Sequence, residues 1–376
     1  MPPLWAPSAA FVELPAKGGD RKDRGLAVVD ANRNRQMLLT YRIDGKKLKL
    51  ERRLEYLLGT DEVLPPETIQ AAADGFWLEL RKSTFVRYEA DLTLGQSPTR
   101  IRLLGRENSW GVELAGIFGW HHLGGSADGS RGVLLAYSDV KRFDYESTFV
   151  RIPLDDPRSF DDLGPTIDLA DRGRVYYLLN HQYVTGAGDR FYYLVMRGGA
   201  RPEIYEAGRD GGEPRALTIA PEVAGFRYEP TYPPNDGSLA PRDLYLELRR
   251  QELPLGIFGY PAGDPEDLLV LVRRPGEGGG DLRWSMLRFD VGNESGEAKL
   301  AGTYDLNGTS AVINTAIDAK ELLVVPGSPC WAFIEKRWLT ILGKQDTPSV
   351  VLVPEAAFSS ENTEKNTRSC LDRPQA

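Results

Sequence analysis

Gly116-Ile-Phe-Gly-Trp120 returns farther along the chain as Gly256-Ile-Phe-Gly-Tyr260. Each copy is followed by a turn rich in Gly and Asp. A strand of buried composition comes next, Gly132-Val-Leu-Leu-Ala-Tyr137 in one case and Asp267-Leu-Leu-Val-Leu-Val272 in the other. A longer amphipathic strand closing on Asp follows, over residues 148–155 and 282–290. Self-similarity of this kind marks a chain made of repeated supersecondary units. A second set of strands shares an aromatic start: Gly75-Phe-Trp-Leu-Glu-Leu80, Arg190-Phe-Tyr-Tyr-Leu-Val195 and Pro329-Cys-Trp-Ala-Phe-Ile334. Segmenting on these anchors gives six units near residues 25–58, 66–105, 115–170, 174–222, 250–307 and 311–353, each long enough for three or four short strands.

The 376 residues include 39 Gly and 26 Pro, and 41% are hydrophobic. Turn-formers at that density, falling every eight to twelve residues between runs of Val, Ile, Leu and aromatics, are an all-β pattern with enough apolar material for a large core. Asp44-Gly45 is explicit hairpin chemistry between the apolar run 38–43 and residues 47–54, where the alternation has period two and then slips. Residues 243–250 and 315–323 are the two short stretches that also read as helix.

Small meanders that cannot bury both faces alone pack best face to face around an axis. Across residues 11 to 353 the chain resembles a β-propeller of about six blades, without the signature motifs of the WD40, kelch or sialidase types. Phe11-Val-Glu-Leu14 is expected to supply the outer strand of the last blade and close the ring. The expected organisation is one propeller domain over 1–353 and a flexible, disordered tail over 354–376, where Ser, Asn, Thr, Glu and Lys dominate. The rival is a tandem of β-sandwiches, with the Pro/Gly-rich residues 229–241 as linker.

A net charge of -8 and a pI near 5.2 argue against a nucleic-acid or membrane-surface binder. Residues 20–56 depart from that balance, with 11 basic against 6 acidic side chains. Their alternation with apolar positions reads as the solvated edge of a sheet, the other reading being a dock for an acidic partner. The two cysteines, Cys330 and Cys370, make no disulfide framework and point to a reducing compartment. With no leader-like start and no apolar run of membrane length, the expectation is a soluble, cytoplasmic protein.

Only three histidines occur, His121, His122 and His181. The propeller resemblance implies that first strands of blades line a central channel, which would set His122 and His181 there with Asp139, Asp144 or Asp189 as carboxylate. Packing histidines are the plainer reading, because no H-x-H or H-x-x-x-H spacing holds a metal. Gly188-Asp-Arg-Phe-Tyr-Tyr-Leu194 is similar to strands of propeller glycosidases, a likeness that implies two converging carboxylates. Trp120, His121, Tyr177 and Asn180 are the candidate ligand-binding residues, with Trp331 a further aromatic platform. The functional expectation is a non-enzymatic scaffold for a protein partner, without metal or cofactor. The alternatives are a hydrolase acting on a glycan or lactone-like ligand in the channel, and a carbohydrate-binding lectin.

Overall fold

The computed structural model describes residues 8–15, 22–32, 35–44, 47–57, 66–72, 75–80, 84–100, 115–125, 131–141, 144–153, 161–162, 167–168, 183–195, 201–208, 213–228, 251–262, 265–276, 282–292, 295–306, 321–336 and 350–359. They form six antiparallel sheets in chain order. The first holds β1 (Ser8–Pro15), β2 (Lys22–Asn32), β3 (Arg35–Asp44) and β4 (Lys47–Leu57), and the second β5 (Pro66–Ala72), β6 (Gly75–Leu80), β7 (Thr84–Glu89) and β8 (Leu94–Arg100). The third runs β9 (Ala115–Gly125), β10 (Arg131–Lys141) and β11 (Asp144–Pro153), with the two-residue strands β12 (Asp161–Asp162) and β13 (Ile167–Asp168) both on β11. The fourth is β14 (Tyr183–Ala187), β15 (Arg190–Val195), β16 (Glu203–Gly208) and β17 (Arg215–Ala216). The fifth is β18 (Leu253–Tyr260), β19 (Asp267–Pro275), β20 (Leu282–Asp290) and β21 (Lys299–Asp305), and the sixth β22 (Glu321–Val325), β23 (Cys330–Lys336) and β24 (Val350–Pro354).

Apart from β13, which pairs with β11, each strand is paired with its neighbour in sequence, and these meanders are blades of a β-propeller. Five have four or more strands; β22–β24 has three among the described residues, so the complete blades number five against the six expected. Both copies of the repeated five-residue motif lie in first strands, β9 and β18. All the aromatic-start and aliphatic anchors lie in second strands, β6, β10, β15, β19 and β23. Second strands read as apolar runs because they are buried where described: residues 268–272 of β19 and 191–195 of β15 all are. Outer strands have one open side, and β21 is exposed at alternate or successive positions throughout.

The chain divides into two compact units. In the first, of residues 1–102, 318–357 and 362–376, the first sheet packs on the second through Val12, Leu14, Val29, Ile69, Phe76 and Val86. Its other face meets the sixth sheet through Ala9, Leu26, Val325, Ala332 and Ile334. In the second unit, of residues 103–317 and 358–361, the fourth and fifth sheets share a core of Tyr192, Leu194, Ile204, Val270, Leu287 and Phe289. The motif glycine Gly259 is required there. A Cβ on it would lie 2.7 Å from Pro265 and closer still to the Gly186 carbonyl, and its N–H donates to Thr185 Oγ1 at 2.9 Å.

Three expectations are corrected and one open reading is decided. Residues 11–14 belong to β1, which pairs with β2 in the first sheet and supplies no outer strand to the last blade; the two blades meet by side-chain packing instead. The tail expected from 354 begins with an ordered 3-10 turn, Glu355–Phe358, in which Phe358 is buried edge-on to Tyr260 and Tyr304. Residues 321–323, open to a helix or a strand reading, are strand. Cys330 is buried and disulfide-bonded, which removes the thiol-based ground for a reducing compartment. Residues 229–250, holding the proposed linker and one candidate helix, lie outside the described residues, as do 315–320 and 360–376. No helix among the described residues is long and apolar enough to cross a membrane.

Candidate functional site

His122 and Asp144, two of the sequence-nominated residues that the structure describes, stand at opposite ends of one sheet. Trp120, His121 and His122 sit on the first strand of the third sheet, opposite Leu135, Leu134 and Val133 of β10. Asp144 opens β11 opposite Lys141, at the other end of that sheet. The eight steps from Val133 to Lys141 span roughly 26 Å at about 3.3 Å each, so His122 and Asp144 stand apart. Asp139 faces Ala115 and Glu146. Asp189 tips the β14–β15 turn beside Gly188 (φ 57°), with its side chain 94% exposed. Trp331 is fully buried and its indole N–H reaches Glu355 Oε1 at 3.4 Å, so it is a core residue and no ligand platform. Tyr177, Asn180 and His181 lie outside the described residues. Among the described residues no three His, Cys, Asp or Glu side chains gather as a metal site.

Polar chemistry concentrates instead in the second unit, around residues 213–228. This segment leaves the fourth sheet as β17 and is fixed at three points. Near its start Arg215 donates through Nε to Glu206 Oε1 at 2.7 Å, and Arg190 reaches Glu206 Oε2 at 2.7 Å. Glu206, 5% exposed, thereby receives two guanidinium groups. Tyr192, directly across from Glu206 in the register, has its phenol pushed up to about 12, by burial first and the neighbouring carboxylate second.

The segment then bridges to the fifth sheet: Thr218 N–H donates to the Gly296 carbonyl at 2.9 Å and Ala298 N–H to the Thr218 carbonyl at 3.0 Å. Leu217, Val223 and Phe226 turn into the shared core, Phe226 edge-on to Phe289. At its far end Glu252 accepts from Gly225 N–H at 2.6 Å and from both Nε and Nη2 of Arg227, at 3.1 and 2.7 Å. Gly225 has φ 81°, where a larger residue is strained and a Cβ would press on Val272.

Between this strap and the fifth sheet lies a cleft of about 480 Å³, within the usual range of ligand sites. The strap contributes Glu222, Val223 and Arg227. The sheet contributes Arg274 from β19, Leu287 from β20, and Lys299 and Leu300 from β21. The Arg227 guanidinium also lies over the Tyr228 ring, 4.8 Å from its centre. Sequence reasoning passed over this site because its two walls are far apart in the chain. The visible signal was Arg273-Arg274 closing an otherwise aliphatic strand.

The fold and the strap-and-cleft site define a β-propeller protein. No family model matches the chain and no curated protein matches it. Among solved structures it is similar to an Aleuria aurantia lectin, described as a six-bladed β-propeller with a novel fucose recognition mode (10% identity over 94% of this chain and 97% of that one, TM-score 0.44). It is also similar to the β-propeller domain of the nucleoporin Nup133 from Vanderwaltozyma polyspora (12%, 86% and 83%, TM-score 0.38). A third similarity is to a subtype N11 neuraminidase-like protein of A/flat-faced bat/Peru/033/2010 (H18N11) (7%, 93% and 96%, TM-score 0.38). None of their sites is carried over to this chain.

Proposed function

We propose that the chain is a non-catalytic β-propeller scaffold that docks a protein partner on the strap-and-cleft face. The supporting observation is where apolar surface stays open. Of the three large hydrophobic side chains exposed among the described residues, Leu50, Tyr228 and Leu300, Leu300 lines this cleft at 39% exposure, and Tyr228, 58% exposed, carries the guanidinium of the lining residue Arg227 on its ring. Tyr and Arg at the edge of a pocket are the residue types that carry binding energy in protein interfaces. The strap is already held by hydrogen bonds and core packing, so little ordering entropy opposes association.

The test is photo-crosslinking in the native host, with a benzophenone amino acid at position 300 and, as control, at position 189. One protein captured from 300 in clear excess over 189, and binding wild type at least about tenfold tighter than Leu300→Asp when purified, is the expected result. Equal capture from both positions, or a purified partner indifferent to Leu300→Asp, would overturn the proposal.

A further inference from the structure

Resting on that reading, we propose that the cleft recognises an acidic, extended peptide segment, its carboxylate held by Arg274 and Lys299 and a neighbouring aliphatic side chain laid on Leu300. The inference comes from sorting the cleft's charges by whether they are already engaged. Arg227 is neutralised by the two-point pair with Glu252 and stacked on Tyr228. Arg274 donates from Nη2 to the neutral Ser285 hydroxyl at 2.9 Å, and no carboxylate pairs with it among the described residues. Its Nε is shielded from solvent and has no acceptor there. A carboxylate entering the cleft would therefore meet the charge of this guanidinium and not its shielded Nε. Lys299 is exposed on β21 without an ion pair among the described residues. Two acids also line the cleft, Glu222 and Glu297, of which Glu297 is engaged elsewhere, so the cations open to a ligand exceed the acid open beside them by one.

The shape of the site adds the rest. Among the described residues β21 is the edge of its sheet, paired with β20 alone, and it carries Lys299 and Leu300 consecutively. An extended segment lying along an edge strand presents alternate side chains to successive pockets. A basic point beside an apolar one therefore selects an acid next to an aliphatic residue.

The experiment pans a random-peptide display library on the full chain, then measures one recovered peptide, fluorescein-labelled, by polarisation. Recovered sequences are expected to be enriched in Asp or Glu adjacent to Leu, Ile or Val. The peptide should lose about tenfold or more in affinity to Lys299→Glu and to Arg274→Gln. Raising salt from about 50 to about 300 mM should also weaken it, since exposed charge pairs are screened over about 8 Å at physiological ionic strength. Lys299 is exposed on an edge, so its variant keeps the fold intact, and an unchanged melting curve checks Arg274→Gln. Recovery of no peptide, of peptides without acidic enrichment, or of acidic peptides that bind Lys299→Glu as tightly as wild type would overturn the inference. If a partner crosslinks from position 300 while any of those results holds, docking at this face stands and the acidic chemistry alone falls. If acidic peptides bind as expected with no partner crosslinked, the reverse applies.

Discussion

Two pairs of basic side chains in the same unit are used in opposite ways. Arg190 and Arg215 converge on one buried carboxylate, Glu206, and complete one another. Arg274 and Lys299 line a cleft with no carboxylate partner among the described residues. The first set ties β15, β16 and β17 together and fixes the start of the strap. The second has nothing structural to hold. Charge closed on itself stabilises a fold, while charge left unmatched on a preformed surface is available to a ligand.

The closed set can be broken hardest. Glu206 is 5% exposed, but its partners are 37% and 47% exposed, so the two sides of the cluster are not equivalent. Replacing both arginines by Ala strands a buried carboxylate and should cost about 3–5 kcal/mol in urea unfolding. Glu206→Ala instead releases two half-exposed guanidinium groups to water, and the expected loss is only about 1–3 kcal/mol. Equal losses would mean that burial of the acid does not govern the cluster.

The next effect down belongs to Tyr192. Its phenol is pushed up to about 12 in the folded chain, against an ordinary value of 10. The folded state therefore favours the neutral form, and the stability that this preference contributes is complete below pH 10. It is lost as pH rises from 10 towards 12, by about 2–3 kcal/mol. Denaturation across that window should show wild type falling by that much more than Tyr192→Phe. A phenylalanine variant as alkali-sensitive as wild type would remove Tyr192 from the closed set.

These regions also differed in how well the sequence disclosed them. All six sheets fall within or close to the segments marked by turn-formers and repeated anchors, because turn chemistry and apolar runs are local. The slip after Leu50 is a bulge, where Tyr41 pairs with Leu50 but Thr40 with Arg52, leaving Glu51 extra and free to meet Arg42. The basic stretch is indeed an edge, since Lys49, Arg52 and Arg53 lie exposed on β4, the outer strand of its sheet. The partner of β1 was not legible: alternation shows that residues 8–15 form a strand, not which edge they join. Nor was the distance between His122 and Asp144, which depends on register and on where each strand ends. The cleft needed most from the structure, because the strap brings Glu222 beside Lys299 only after Thr218 and Ala298 have paired.

The smallest expected effect is the one that separates the two regions best. Tyr228 and Leu300 are exposed, and their side chains fill no core. Tyr228→Ala and Leu300→Asp should each leave urea-unfolding stability within about 0.5 kcal/mol of wild type. The same substitutions should weaken the purified partner's binding about tenfold or more, a difference of about 1.4 kcal/mol at an interface anchor. In the closed set the pattern inverts: Glu206→Ala alters stability, and partner affinity measured on the remaining folded protein changes little unless the strap itself moves. If Leu300→Asp destabilised the chain as much as Glu206→Ala does, the β21 surface would be part of the fold's support and its exposure would no longer mark it for a partner. The contrast thus rests on a double readout, stability moving in one region and affinity in the other, which neither measurement supplies alone.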